Sequence, residues 1–304
     1  MSLITRRSFV IAGAGLAATT LLTSRAAAQS STRTVTTSLG TYDIPANPQR
    51  VVAIDSRLDL QPALALGLPV IGYAHSVPGA WVPVAADAQF FGSIVNVEQV
   101  LAAEPDLIIC ADYDADSEYW PLNKMRQIAP VLPTKGDQSW KQSLKDLAGF
   151  LGMEGAGDGA IAEYEALVSE VKARHGDKLA NKTVMSLQPD AGGLWPMNGS
   201  TMLHTQVLAD LGAKTVPPAE TQKYEAEKVT SESFLDVLGK VDGMLLATTG
   251  TDEIAVLDKE PLWQRLPAVA AGAVVASNGN VNYGSIYSAR HLVTLFDELY
   301  GKIA

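Results

Sequence analysis

Cysteine is almost absent from this chain. Cys110 is the only one, so an internal disulfide is impossible and no C-x-x-C zinc or redox pair exists. Histidine is nearly as scarce. His75, His175, His204 and His291 are scattered, without the close spacing that gathers metal ligands. There is no P-loop, no H-E-x-x-H and no G-x-S-x-G. Tyr283-Gly284-Ser285 lacks the glycine that a nucleophile elbow needs two residues after its serine. Asp112, Asp114, Asp116 and Glu118 alternate as in a calcium loop. The glycine and closing glutamate of an EF-hand are missing, which favours a solvated acidic loop. Basic residues are also outnumbered, 23 Lys and Arg against 33 Asp and Glu for a net charge of −10. That balance argues against nucleic acid or anionic lipid as a partner.

Long apolar runs are lacking apart from Val10 to Leu22, which is short of the roughly 20 residues a spanning helix needs. Arg6-Arg7-Ser8-Phe9 precedes that run, and Ala26-Ala27-Ala28-Gln29 follows it. Charge, apolar stretch and small-residue site together predict a secretory signal over residues 1–28, cleaved near Ala28. The paired arginines give it a twin-arginine character. No cysteine adjoins the cleavage site, so a lipid anchor is not expected. A flexible N-terminus is expected over 29–39, and removal of Arg6, Arg7 and Arg25 leaves the remainder three units more acidic.

Hydrophobic residues make up 47% of the chain, enough for buried cores. Arg50–Ile54, Pro69–Tyr73 and Asp106–Cys110 are short apolar runs of the kind buried in parallel sheets. Helical segments over Leu58–Leu66, Val97–Ala103 and Leu122–Ile128 alternate with them, and Ala129–Leu132 follows. A second set repeats the rhythm: Lys182–Leu187, Thr201–Leu211, Ser231–Leu238, Asp242–Ala247, Ala273–Ala276 and a closing helix over Ser285–Tyr300. Between the sets, Ile161, Tyr164, Leu167, Val168 and Val171 recur at helical spacing. They predict one long amphipathic helix, roughly 30 Å for 20 residues, which acts as a strut. The expected organisation is therefore α/β with two Rossmann-like lobes, 40–156 and 181–304, joined by a helix over 157–180. Trp81, Tyr113, Trp120, Trp140, Trp195, Tyr224 and Tyr283 fall mostly in predicted loops. In open α/β sheets the ligand crevice lies beyond the strand carboxyl ends. Tyr113 and Arg57 each follow a predicted strand, so both are candidates for one binding wall.

Four stretches carry a resemblance: Asn47–Val52, Gly92–Ile109 with its Asn96-Val97-Glu98, Val229–Leu235, and Pro261–Val269 with the closing helix. In their order and spacing they resemble the solute-binding proteins of ABC importers for ferric siderophores, haem and cobalamin, and the hydroxamate-siderophore branch in particular. The resemblance implies two lobes joined by one long helix, with the ligand between them. It also implies a periplasmic, monomeric binding protein with no catalytic residues, no metal ligands and no cofactor, the iron being held by its chelator. Glu98 and Glu232 would dock onto arginines of the membrane permease, as exposed carboxylates suit Arg. Tyr113 matches a ligand-binding tyrosine of the hydroxamate relatives, and Tyr224 stands where they carry an aromatic. Trp195 and Tyr283 complete the expected binding set. Where the relatives place an arginine after Gly92, this chain has Ser93-Ile94. Arg57, Arg126 or Arg290 would supply the cation, and Arg57 is selected for its strand-tip position. Haem or cobalamin is the alternative cargo, and an exported hydrolase or metalloenzyme the remote one.

Overall fold

The computed structural model describes residues 31–114, 117–216, 227–249 and 252–304. The predicted signal segment and Tyr224 lie outside the described residues. The described residues open with β1 (Thr32–Thr37) and β2 (Gly40–Pro45), an antiparallel hairpin that turns at Ser38-Leu39 and enters β2 at Gly40, whose φ is +114°. For residues 32–39 this corrects the expectation of a flexible segment; residues 29 and 30 lie outside the described residues. Thr, Arg and Val alternate there, and Val35 and Ile44 insert into the core, so pleat and burial outweigh the polar composition.

The first lobe contains β3 (Val51–Ala53), α1 (Leu60–Ala65), β4 (Val70–Tyr73), β5 (Gln89–Phe90), α2 (Val97–Ala102), β6 (Leu107–Ala111), α3 (Leu122–Met125), β7 (Val131–Thr134) and α4 (Trp140–Leu151). Its sheet runs β5-β4-β3-β6-β7 with every pair parallel. β3 and β6 are buried along their whole length, as apolar strands covered on both faces must be. The strand order reverses between β3 and β6, which opens a crevice at their carboxyl ends.

Helix α5 (Glu154–Asn181) leads into the second lobe. Ile161, Tyr164, Val168 and Val171 are its buried ladder. Burial of such side chains contributes about 2 kcal/mol each, against about 1 kcal/mol for each helical glycine. The ladder therefore carries a helix that includes Gly155, Gly157, Gly159 and Gly176. Gly157 has its own use: a Cβ there would stand 2.9 Å from that of Ala148, so glycine lets α4 and α5 close up. The helix loses regular geometry at His175 (φ −125°, ψ 15°).

The second lobe holds β8 (Val184–Asp190), β9 (Gly193–Pro196), α6 (Leu203–Leu211), β10 (Val229–Thr230), α7 (Phe234–Leu238), β11 (Gly243–Leu246), α8 (Asp252–Leu257), α9 (Pro267–Ala270), β12 (Val274–Ala276) and α10 (Ile286–Lys302). Its sheet order is β10-β9-β8-β11-β12. β8, β11 and β12 are parallel, but β9 pairs antiparallel with β8 and β10 antiparallel with β9. The two lobes are thus less alike than the repeated rhythm implies. A tight turn at Ala191-Gly192, with Gly192 at φ +75°, folds β9 straight back instead of crossing over through a helix.

One apolar core joins both lobes, running from Val51 and Leu107 through Tyr164 and Val168 to Leu245 and Phe296. Side-chain contacts to α10 reinforce the join. Gln61 of α1 reaches the start of α10: its Oε1 accepts from the Ser285 and Ser288 amides at 3.2 and 2.9 Å, and its Nε2 donates to Ser288 Oγ at 2.9 Å. Ser285 makes no side-chain cap of its own, so a residue of the first lobe satisfies the open amides of this helix. Trp81 stacks on His291 of α10 with ring centroids 3.9 Å apart.

Candidate ligand-binding site

The polypeptide leaves β3 through Asp55-Ser56-Arg57-Leu58, and Asp55 organises that loop. Its buried carboxylate accepts from the Arg57 and Leu58 amides at 2.7 and 3.1 Å, an Asx-type turn. The same carboxylate takes Arg57 Nε at 3.2 Å, Arg57 Nη2 at 3.0 Å and Trp120 Nε1 at 2.9 Å. Burial pushes the Asp55 carboxyl up, but the Arg57 charge and its hydrogen bonds outweigh burial, and Asp55 is held below the usual carboxylate range. Burial works against the Arg57 charge in turn, and Asp55 more than offsets it. The pair is therefore ionised on both sides.

Asp59, one helical turn further on, ties the neighbouring strand tips. It accepts from the Asp55 amide at 2.7 Å, from the Ala111 amide at 3.2 Å and from Thr134 Oγ1. These donors stand beyond β3 and at the ends of β6 and β7. Complete burial, followed by the Asp55 charge, raises the Asp59 carboxyl from 3.8 to about 7.

Above this buried pair lies an open hollow of about 420 Å³, lined by Arg57, His75, Tyr113, Tyr119, Trp120 and Tyr283. Tyr113 follows β6, and its ring lies 4.9 Å from that of Trp120. His75 stacks on Trp120 with ring centroids 5.5 Å apart and meets Tyr119 edge-on at 5.8 Å. It follows β4 in a left-handed conformation, φ +76°, which costs a residue with a Cβ roughly 1 kcal/mol. Burial lowers the His75 pKa, with Arg57 adding to the effect and Asp55 opposing it, so the imidazole is neutral. Tyr283 comes from the second lobe, on the loop before α10, and Arg57 lies 5.1 Å from its ring centre. A second recess of only about 30 Å³ shares Tyr113 and Tyr283 and also touches Trp140 and Leu203. Aromatic faces, one cation and several hydroxyls can cover the apolar faces of a compact ligand and hydrogen-bond its oxygens.

Three of the sequence candidates, Arg57, Tyr113 and Tyr283, meet in this hollow. Trp195 does not. It sits on β9, donates to Asp190 at 3.0 Å and carries Lys228 over its ring at 5.4 Å. The competing cations stand elsewhere: Arg126 donates to the Leu39 carbonyl under the N-terminal hairpin, and Arg290 pairs with Glu163 at 3.0 Å on α5. His75, Tyr119 and Asp55 were not singled out by sequence, and Trp120 was flagged only as a loop aromatic. Asp55 is the one with a readable signal, a charged residue immediately after a fully apolar strand. Trp140 is a core residue at the start of α4, edge-on to Tyr164 at 4.8 Å. Glu98 and Glu232 are both exposed. Glu98 lies in the first turn of α2, behind an Asn96 cap, and Glu232 in the 3₁₀ turn Ser231–Ser233. Each follows the outermost strand of its own sheet, β5 and β10. Cys110 is buried on β6, and its thiol is pushed well up by burial. Among the described residues, no cluster of three or more His, Cys, Asp or Glu is placed to hold a metal ion.

Two α/β lobes sharing one core, bridged by a long helix and meeting at a ring-lined hollow on the strand tips, define a bilobal solute-binding protein. The sequence profile of the periplasmic binding protein family matches residues 92–279, and the chain belongs to that family, a family of binding proteins and not of enzymes. It is 23% identical over 268 residues to the iron(3+)-hydroxamate-binding protein FhuD of Escherichia coli, covering 84% of this chain and 88% of FhuD. It is 25% identical to the ferric enterobactin-binding periplasmic protein FepB of E. coli, over 88% of this chain and 91% of that one. Among solved structures, the fold is shared with a periplasmic solute-binding protein of Mycobacterium smegmatis (TM-score 0.74, 19% identity, 90% of this chain and 98% of that one). It is shared also with FhuD of Vibrio cholerae bound to Fe3+-Desferal (TM-score 0.70, 24% identity, 84% and 99%).

Proposed function

We propose that this protein is the extracytoplasmic substrate-binding component of an ABC importer. It binds a ferric siderophore, with the hydroxamate type favoured, and delivers it to a membrane permease. The hollow beyond β3 and β6 carries this reading, because it joins Arg57 to the rings of Tyr113, Trp120 and Tyr283. Rings cover the apolar faces of the chelate, Arg57 hydrogen-bonds the oxygens around the metal, and the protein itself provides no iron ligand. FhuD and FepB, named for hydroxamate and enterobactin complexes of iron, support the choice of cargo. The protein acts as a monomer exported through the twin-arginine signal over residues 1–28. Glu98 and Glu232 present one carboxylate from each lobe to permease arginines.

The test is native mass spectrometry of the mature protein against a panel of ferric chelates and haem. One-to-one retention of a ferric siderophore supports the proposal, and retention of none of them overturns it. Haem is the second reading, favoured by the neutral imidazole of His75 beside Tyr113 and Tyr119, since both residue types ligate haem iron. A Soret shift on adding haem would establish it.

A further inference from the structure

Arg57 is the one permanent cation among the described residues lining the hollow, and its charge is met inside the protein wall. Two of its guanidinium nitrogens are held by Asp55, at 3.2 and 3.0 Å. The Asp55 carboxylate is wholly buried, so salt and solvent screen it little. It also takes the Trp120 indole at 2.9 Å, fixing one ring of the wall together with the cation. His75 adds no charge. Lys135 borders the smaller recess, while Asp112 and Asp114 stand on the loop that carries Tyr113. The hollow therefore offers rings, hydroxyls and a compensated cation, not a positive field.

We propose that Asp55 is a specificity-determining residue: by neutralising Arg57 from behind, it makes the pocket prefer an uncharged ferric chelate to a polyanionic one. This rests on the ferric-chelate reading above. A trianionic chelate must shed strongly held water to enter, and the nearby Asp55 charge cancels most of the attraction Arg57 would return. An uncharged chelate gives up less hydration and needs only ring contact and hydrogen bonds. Asp55 acts through Arg57 and Trp120, so it is a positioning residue and not a ligand contact.

The experiment measures the affinity ratio for two probes, an uncharged ferric tris-hydroxamate and a trianionic ferric tris-catecholate. The unchanged protein favours the hydroxamate. Asp55→Asn keeps the shape and, through Oδ1, an acceptor for the loop amides; it releases the Trp120 indole, which affects both probes alike, and exposes the Arg57 charge, so the ratio moves toward the catecholate by about tenfold or more. Arg57→Gln, which leaves Asp55 uncompensated, moves it the opposite way. In the double variant Asp55→Asn/Arg57→Gln the ratio returns toward that of the unchanged protein. A general loss of structure weakens both probes alike and leaves the ratio where it was, and if Asp55→Asn does not fold, Asp55→Ser, which also removes the charge, is measured in its place. A ratio unmoved in folded variants overturns the role of Asp55. Binding of neither probe by the unchanged protein overturns the ferric-chelate reading and this proposal with it.

Discussion

Gln61 offers a direct test of how the lobes are held. Its side chain is buried on α1, yet its three hydrogen bonds all cross to the start of α10, to the Ser285 and Ser288 amides and to Ser288 Oγ. Gln61→Ala removes the only side-chain cap of α10 among the described residues. Losing a helix cap costs about 0.5–2 kcal/mol, and leaving buried donors unpaired costs about 1–3 kcal/mol. Both figures concern the same Ser285 and Ser288 amides and are not summed, so the expected loss is about 1–3 kcal/mol. Gln61→Glu keeps the acceptor and suits the positive end of the helix, but it buries a charge and loses the donor to Ser288. It is expected to fall between the wild type and Gln61→Ala. Urea unfolding followed by circular dichroism measures both. Because one core spans the two lobes, a single transition with an unchanged slope and a lowered midpoint is expected. A Gln61→Ala loss under about 0.5 kcal/mol, or two separate transitions, would refute the reasoning.

Other outcomes follow from the same geometry. Reversing Glu98 and Glu232 to Lys should abolish iron uptake in cells while leaving chelate affinity within about twofold, and normal uptake would remove both from docking. Asp59 holds its proton more tightly in the folded than in the unfolded chain, with a carboxyl at about 7 against 3.8. Its contribution is thus complete below about pH 4 and lost as pH rises through about 7. Thermal scans should show a midpoint that declines across that window, and Asp59→Asn should flatten it; an equal slope in the variant would exclude Asp59 as the source. Trp81→Ala should cost about 2 kcal/mol and raise the His291 pKa, now lowered chiefly by burial, as read by NMR titration.

Much of the α/β rhythm was legible because the strands are short apolar runs bounded by polar tips. That same boundary located Arg57 and Tyr113, since a residue just past a parallel strand points into the crevice. Local pattern has no access to long-range partners, which is why His75 and Trp120 stayed unplaced. They meet only when β4 and the loop beyond β6 come together. Helix α4 went unread although Trp140, Leu144, Leu147 and Leu151 carry a helical period between a Ser139 cap and a Gly152 stop. The N-terminal hairpin was masked by polar composition, and the antiparallel return of β9 by an apparent repeat between the halves. The aromatic character of Trp195 was visible, but the face of β9 it occupies depends on the register with β8.

The central claim is that the strand-tip hollow holds a ferric chelate. Trp120 lies in its wall, so titrating the purified protein with an uncharged ferric tris-hydroxamate should quench indole fluorescence saturably at one-to-one stoichiometry. Tyr113→Ala should weaken that binding about tenfold or more, the equivalent of a ring contact of roughly 1–3 kcal/mol. A flat titration, or an affinity unchanged by Tyr113→Ala, would contradict the account.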